Sequence, residues 1–286
     1  MGVRPNPLEH GRYWDGTLNV VGGCEFAHRF VDGRKIVDPS CVNCYAVTWA
    51  AGIHAKNDVE LYRGTTERKG KRDTWSGPDH LTVLMDDHRT WNEPLRWRGV
   101  TPNLLELDGQ GKDKPSILWV NSEADLFHPG RPREAIDRIL ENVAISPHNI
   151  IGLIVVKYCE ELVEYFSTKP AWWRKRFILV FSAGDQRWWD LRWSIMRPLA
   201  EQGWIIGTSI QPMLSPVVLL PDFRRLGRWV ICGGEQPPGY RVANPDWMRS
   251  LRDQCKDANP PLPFFVKQMT SGWLPPDLLF REFPKV

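Results

Sequence analysis

Short apolar runs recur along the chain, and each gives way to polar residues at its C-terminal end. Candidate strands fall at residues 17–21, 116–120, 149–156, 176–181, 204–210, 228–232 and 263–266. Most of these runs are nearly continuous in Ile, Val, Leu and Phe. That pattern suits parallel strands buried on both faces. Helical patterns lie at 44–56, 133–143, 160–167, 188–201 and 246–258. Pro132 and Pro245 stand just ahead of two of them, where proline's fixed φ favours a first helical turn. The alternation predicts an α/β protein on a parallel sheet or barrel. Residues 60–114 break the rhythm and read as an insertion after the first βα unit. A hairpin is expected there around 81–85, and a basic run, RKGKR, occupies 68–72. Proline-rich segments at 236–240 and 259–263 read as loops.

The strand ends carry the chemistry. Asn121, Ser122, Glu123 and Asp125 follow the second run, and Lys157 follows the third. Ser182, Gln211 and Glu235, the last behind Gly233-Gly234, follow the next three. Lys267 and Gln268 close the series. In an α/β barrel the βα loops converge on that edge, and the active site sits there. Any buried strand ends in something polar, so the recurrence matters more than any one residue. Asn121, Ser122 and Asp125 suit a ribose or an amino-acid head group, or a plain turn and cap. Lys157 suits a carboxylate, or snorkels to solvent. Glu235, behind two glycines that let a ligand approach the backbone, suits an ammonium group.

Composition narrows the class. The 286 residues fit one large α/β domain or two smaller ones, and 42% hydrophobic with 25% charged residues is ordinary for a soluble globular protein. A net charge of +3 names no partner. No apolar run approaches the roughly 18 residues of a membrane span, and the opening MGVRPNPLEHGRYWDG lacks a signal-peptide core. The reading is cytoplasmic, where thiols stay reduced and clustered cysteines point to metal or catalysis. Fifteen tryptophans serve packing or offer stacking platforms for a flat ligand. No Walker loop, HExxH spacing or Ser/His/Asp set argues for hydrolase chemistry.

Three of the six cysteines, Cys24, Cys41 and Cys44, cluster as C-x16-C-x2-C after the first strand. Two metal readings stand. With His28 the set becomes C-x3-H-x12-C-x2-C, an acceptable closed zinc site. Alternatively, the three thiolates hold three irons of a [4Fe–4S] cluster and leave the fourth without a protein thiolate. Cys159, Cys232 and Cys255 are scattered and read as small buried residues.

Several stretches carry a resemblance. They are Gly23-Cys24, CVNCYA at 41–46, PLRW at 94–97, VNSEADLFH at 120–128, VICGGE at 230–235, NPDWMRSLRDQC at 244–255 and PFFVKQM at 263–269. The chain resembles the radical S-adenosylmethionine (SAM) superfamily. More narrowly, it is similar to phage and bacterial proteins of that type with a three-cysteine loop and a late Gly-Gly-Glu. The superfamily usually spaces its cysteines C-x3-C-x2-C and carries Gly-Gly-Glu at the second strand. Here that strand ends in Asn121-Ser122-Glu123, the positional counterpart. The resemblance implies a single partial (β/α) barrel domain of about six or seven parallel strands over residues 1–286. It implies a [4Fe–4S] cluster on Cys24, Cys41 and Cys44. SAM would lie near Asn121, Ser122, Lys157 and Glu235, and its reductive cleavage would give a 5′-deoxyadenosyl radical that abstracts hydrogen from a substrate. A flavodoxin or ferredoxin would donate the electron, in the host cytoplasm if the protein is phage-encoded. The expected substrate is a nucleotide base or base adduct, in DNA, gripped by RKGKR with Trp75, Trp91 and Trp97. The competing expectation is a zinc-stabilised nucleic-acid-binding module without SAM chemistry.

Overall fold

A computed structural model describes residues 11–236, 240–270 and 272–286, so the expected loop at 236–240 lies partly outside the described residues. Two short strands, β1 (Gly16–Leu18) and β2 (Val21–Gly22), lead into the first cysteine. A hairpin follows, β3 (His28–Val31) with β4 (Arg34–Val37). Helix α1 (Tyr45–Trp49) starts directly after Cys44 and continues as a π-helical turn over Ala50–His54. The next segment carries a second hairpin, β5 (Thr66–Lys69) with β6 (Arg72–Trp75), then β7 (Thr82–Val83) and the short helices α2 (Glu93–Arg96) and α3 (Leu104–Leu107). From there strand and helix alternate regularly. The order is β8 (Ser116–Val120), α4 (Arg133–Ala144), β9 (Ile150–Val156), α5 (Cys159–Ser167), β10 (Phe177–Ser182) and α6 (Gln186–Glu201). It ends with β11 (Ile205–Ile210), α7 (Pro221–Leu226), β12 (Trp229–Cys232), α8 (Pro245–Lys256) and β13 (Phe264–Val266).

Seven strands form one sheet in the order β1-β8-β9-β10-β11-β12-β13, every neighbouring pair parallel. The order follows the chain, and repeated crossovers of one hand put the helices on one face. The result is a curled, open α/β sheet, the expected partial barrel. Both faces are apolar for separate reasons. Leu118, Ile154, Leu179, Phe181 and Val230 face the helices, in a core with Ile139, Leu162 and Trp193. Ile117, Trp119, Leu153, Val180, Trp229 and Phe265 form the core of the concave face. A period-two strand with both faces buried reads as a continuous apolar run. The curl brings the two ends of the sheet together. Tyr13, ahead of β1, packs edge-on against Trp229 at 5.8 Å and Phe265 at 5.6 Å. Gly11, at φ +66, lies so close to Lys267 that a Cβ would fall 2.0 Å from its carbonyl oxygen.

Two local readings change. The hairpin expected at 81–85 does not form, because Thr82-Val83 pairs antiparallel with Val21-Gly22. The hairpin of this segment is β5–β6, with RKGKR at its exposed tip. Trp75 and Trp91 are buried at 5% and 1% exposure, so neither is a surface stacking platform. The sixteen residues between Cys24 and Cys41 hold β3–β4, joined by Asp32-Gly33 at φ 49 and 73. Asp-Gly with both residues at positive φ is the turn that a tight hairpin prefers. Among the described residues, no helix is long and apolar enough to cross a membrane.

Candidate functional site

One cavity at the C-terminal edge of the sheet gathers the residues singled out in the sequence. Cys24, Cys41, Cys44, Asn121, Ser122, Lys157 and Glu235 all line it, as do Ser182, Gln211 and Lys267. It encloses about 1010 Å³ of atom-free space, part of it open to solvent. Gln268 is instead turned to the backbone, donating from Nε2 to Gly234 O at 2.8 Å.

Each cysteine is held by its own bracket. Ahead of Cys24, the buried Arg131 guanidinium donates to the carbonyls of Gly22 (2.7 Å), Gly23 and Thr82. Asn121, at φ 61, accepts from Val20 N and Val21 N at 3.1 Å and donates to Ala124 O at 2.8 Å. Ser122 donates to Asn19 Oδ1 from its backbone N and its hydroxyl. The polar side chains after β8 therefore tie that strand end to the loop carrying Cys24.

Cys41 ends a short 3-10 turn that Asp38 caps, accepting from Ser40 N at 2.8 Å and Ser40 Oγ at 2.6 Å. Arg192 of α6 donates to Asp38 Oδ2 at 2.6 Å, to Ser182 O at 2.6 Å and to Lys157 O at 3.0 Å. This ion pair is essentially sealed, with side chains 2% and 0% exposed. One guanidinium thus joins the Cys41 turn to the ends of β9 and β10.

The Cys44 turn is held from two sides. Asn43 donates to Glu235 Oε2 at 3.0 Å, and Tyr45 Oη donates to Ser122 O. Glu235 is also paired with Arg241, which reaches on to Pro39 O at 2.9 Å. Arg241 and Asn43 hold the Glu235 carboxyl below its usual range despite the burial that opposes them.

The electrostatics of the cavity centre on the thiols. All three are free of disulfides. Burial pushes the Cys24 and Cys41 thiols up to about 12, so as bare thiols they stay protonated. Thiolate there needs a positive centre nearby. Lys157 points into this region. Burial would lower its ammonium, but Cys41, Asp38 and Cys44 outweigh that and hold it above the usual lysine range. Asp125 fixes the Lys157 backbone, accepting from Lys157 N at 2.6 Å and Tyr158 N at 3.3 Å. His28 sits apart on β3, with Nδ1 3.1 Å from Phe26 O and its ring edge-on to Phe30. Among the described residues, no three His, Cys, Asp or Glu side chains close on a single metal-ion-sized point.

A family described as protein of unknown function (DUF5131) matches residues 12–279. The chain belongs to that family. Among solved structures, a doubly substituted spore photoproduct lyase with bound AdoMet and dinucleoside spore photoproduct is similar at 10% identity and a TM-score of 0.42. That match covers 85% of this chain and 61% of the other. A spore photoproduct lyase complexed with dinucleoside spore photoproduct matches at 10% identity and a TM-score of 0.41, with the same coverage. This chain therefore spans about three fifths of the length of those chains. No curated protein matches.

Several site residues were not singled out in the sequence. Arg131 and the Asp38–Arg192 pair act through backbone carbonyls and a sequence separation of 154 residues, which no local pattern reveals. Glu123, named only as a positional counterpart, lines the cavity with Oε2 2.6 Å from His54 Nε2, and Tyr62 stacks on that imidazole at 4.3 Å. Glu25 faces His128 Nε2 and Tyr158 Oη, each at 3.5 Å.

Proposed function

We propose that this protein is a radical SAM enzyme, with a [4Fe–4S] cluster on Cys24, Cys41 and Cys44 and SAM in the adjoining cavity. The observation that carries the reading is the meeting of three free thiols and the Lys157 ammonium on one cavity wall at the C-terminal edge of a parallel sheet. The donor set fits. Cluster irons take one thiolate each, so the ligands need not close on one point, whereas a single zinc ion requires that they do. His28, the fourth ligand that zinc would recruit, is engaged elsewhere. When bound, the cluster and SAM supply one-electron cleavage and hydrogen abstraction; the protein supplies position, charge and exclusion of water.

Within that reading, Lys157 pairs with the SAM carboxylate beside the cysteines. Asn121 and Ser122 shape the wall through the turn after β8. Both Glu235 oxygens already meet Arg241, with Asn43 on Oε2, and the Glu123 carboxylate has an imidazole as its partner. An ammonium group therefore displaces less at Glu123 than at Glu235. Adding SAM to the reduced protein is expected to change the cluster's EPR spectrum. Lys157→Ala should keep the iron and weaken SAM about tenfold or more, the loss of a charge-assisted bond. An unchanged spectrum at saturating SAM would count against coordination.

The substrate we propose is a nucleotide base or base adduct, carried in DNA. Support comes from the exposed β5–β6 tip. Arg68 and Lys69 there are paired with Asp73 and Glu67, each at 2.8 Å, while Lys71 and Arg72 have no acidic partner among the described residues. A base in a duplex would have to flip out to reach the cavity. Neutralising Arg68, Lys69, Lys71 and Arg72 together should make the salt dependence of DNA binding shallower, by about 0.9 for each phosphate that the tip no longer neutralises. Equal binding by parent and quadruple variant would remove DNA as the substrate and leave the enzyme assignment in place.

A further inference from the structure

Two lysines line the cavity, and they differ in their surroundings. Lys157 faces Cys41, Cys44 and Asp38. Lys267, just past β13, faces rings. Its Nζ lies 5.7 Å from the ring centroids of Tyr13, Trp14 and Tyr45, and no carboxylate or hydrogen-bond acceptor meets it among the described residues. Cation–π attraction extends to about 6 Å, so all three contacts sit near its outer limit. The rings orient the ammonium without replacing a counter-ion.

The contrast with the other cations near the site is consistent. Arg192 has Asp38, Arg241 has Glu235, and Arg131 has four carbonyl oxygens. Burial without compensation pushes the Lys267 ammonium down to about 8. Two and three strands away along the same sheet edge, the cavity wall offers the Ser209 and Ser182 hydroxyls and the Gln211 amide, none with a side-chain partner among the described residues. Ser182 and Ser209 stand side by side in register on β10 and β11. A half-buried cation that faces a cavity with no counter-ion is the makings of an anion site.

We propose that Lys267 is the anion-binding subsite of this cavity and that it receives a phosphate group carried by the substrate, with Ser182, Ser209 and Gln211 offering neutral donors to the rest of that substrate. The inference rests on the enzyme reading above and narrows its substrate to a phosphate-bearing nucleotide rather than a free base or nucleoside. It also divides the two cavity cations, with Lys157 for the cofactor's carboxylate and Lys267 for the substrate's phosphate.

Competitive amine labelling of the iron-loaded protein, read by peptide mass spectrometry across pH, tests this. The probes are the four deoxynucleoside 5′-monophosphates, the matching nucleosides and methionine. At least one monophosphate should protect Lys267 and move its labelling midpoint upward, because a bound anion favours the charged amine. The matching nucleoside should do neither. Lys267→Met should weaken that monophosphate about tenfold or more, Lys267→Arg should restore part of the loss, and both variants should retain iron and SAM binding. Protection by methionine but by no monophosphate would overturn the proposal in favour of a second cofactor contact. Protection by no probe would overturn it in favour of a purely ring-held lysine. Iron content on the same sample separates the two readings: iron retained without protection sinks only this inference, and iron lost from the parent sinks the enzyme assignment.

Discussion

Replacing Cys24, Cys41 or Cys44 by alanine, one at a time, is expected to abolish iron–sulfur loading, whereas His28→Ala keeps it. In the proposed reading each thiolate would hold a separate iron, so two remaining ligands would leave a cluster that does not survive purification. The three positions are rigid for different reasons. Arg131 fixes the carbonyls before Cys24, Asp38 caps the turn ending in Cys41, and Glu235 holds Asn43 beside Cys44. His28 touches its own hairpin and Glu25, not the thiol wall. Iron and sulfide analysis of the four variants after anaerobic reconstitution checks this. If His28→Ala loses metal as completely as Cys24→Ala, and the metal is zinc, the module reading replaces the enzyme reading.

The second large effect concerns stability and the site together. Asp38→Asn should cost about 3–5 kcal/mol, because it leaves the Arg192 guanidinium buried without its counter-charge. Burial alone would raise the Asp38 carboxyl, yet Arg192, Lys157 and Ser40 bring it below the usual range. A carboxyl depressed by folding contributes stability above its unfolded pKa, about 4, and loses it as pH falls through the lower folded value. The parent should therefore keep this contribution down to mildly acid pH, and Asp38→Asn should lack it already at neutral pH. Urea unfolding at pH 7 and in acid measures the difference. Pairing Asp38→Asn with Arg192→Met should recover part of the loss, since no buried charge then stands alone. A neutral single variant, or a double variant worse than the sum of the singles, would contradict the role given to this pair. Because the Asp38–Arg192 pair also ties the Cys41 turn to the ends of β9 and β10, the single variant should load less iron even where it folds.

Much of the fold was legible because the strands are buried on both faces. Runs such as 150–156 and 177–181 are apolar at every register, and a continuous run of that length between helical stretches admits few other readings. The cysteine positions and strand-end polar residues were legible for the same reason: a parallel sheet delivers every strand's C-terminal end to one edge. The roles of those residues were less so. Asn121 looks like a ligand group in sequence, yet its amide is occupied with Val20, Val21 and Ala124, a contact across about a hundred residues. Glu235 looked like an ammonium acceptor, and its partner Arg241 lies only six residues on, a pairing that no local sequence pattern signals. The β3–β4 hairpin was not among the sequence expectations, although Asp32-Gly33 carries its turn signal; it fills most of the sixteen residues between Cys24 and Cys41. The misplaced hairpin at 81–85 had no such turn signal: the run LTVLM meets β2 instead of folding back on itself.

Anaerobic incubation of the reconstituted protein with SAM and dithionite, assayed for 5′-deoxyadenosine, tests the central claim most directly. The reading predicts 5′-deoxyadenosine from the parent and none from Cys41→Ala. A colourless parent with stoichiometric zinc, or an iron-loaded parent that leaves SAM intact, would contradict it.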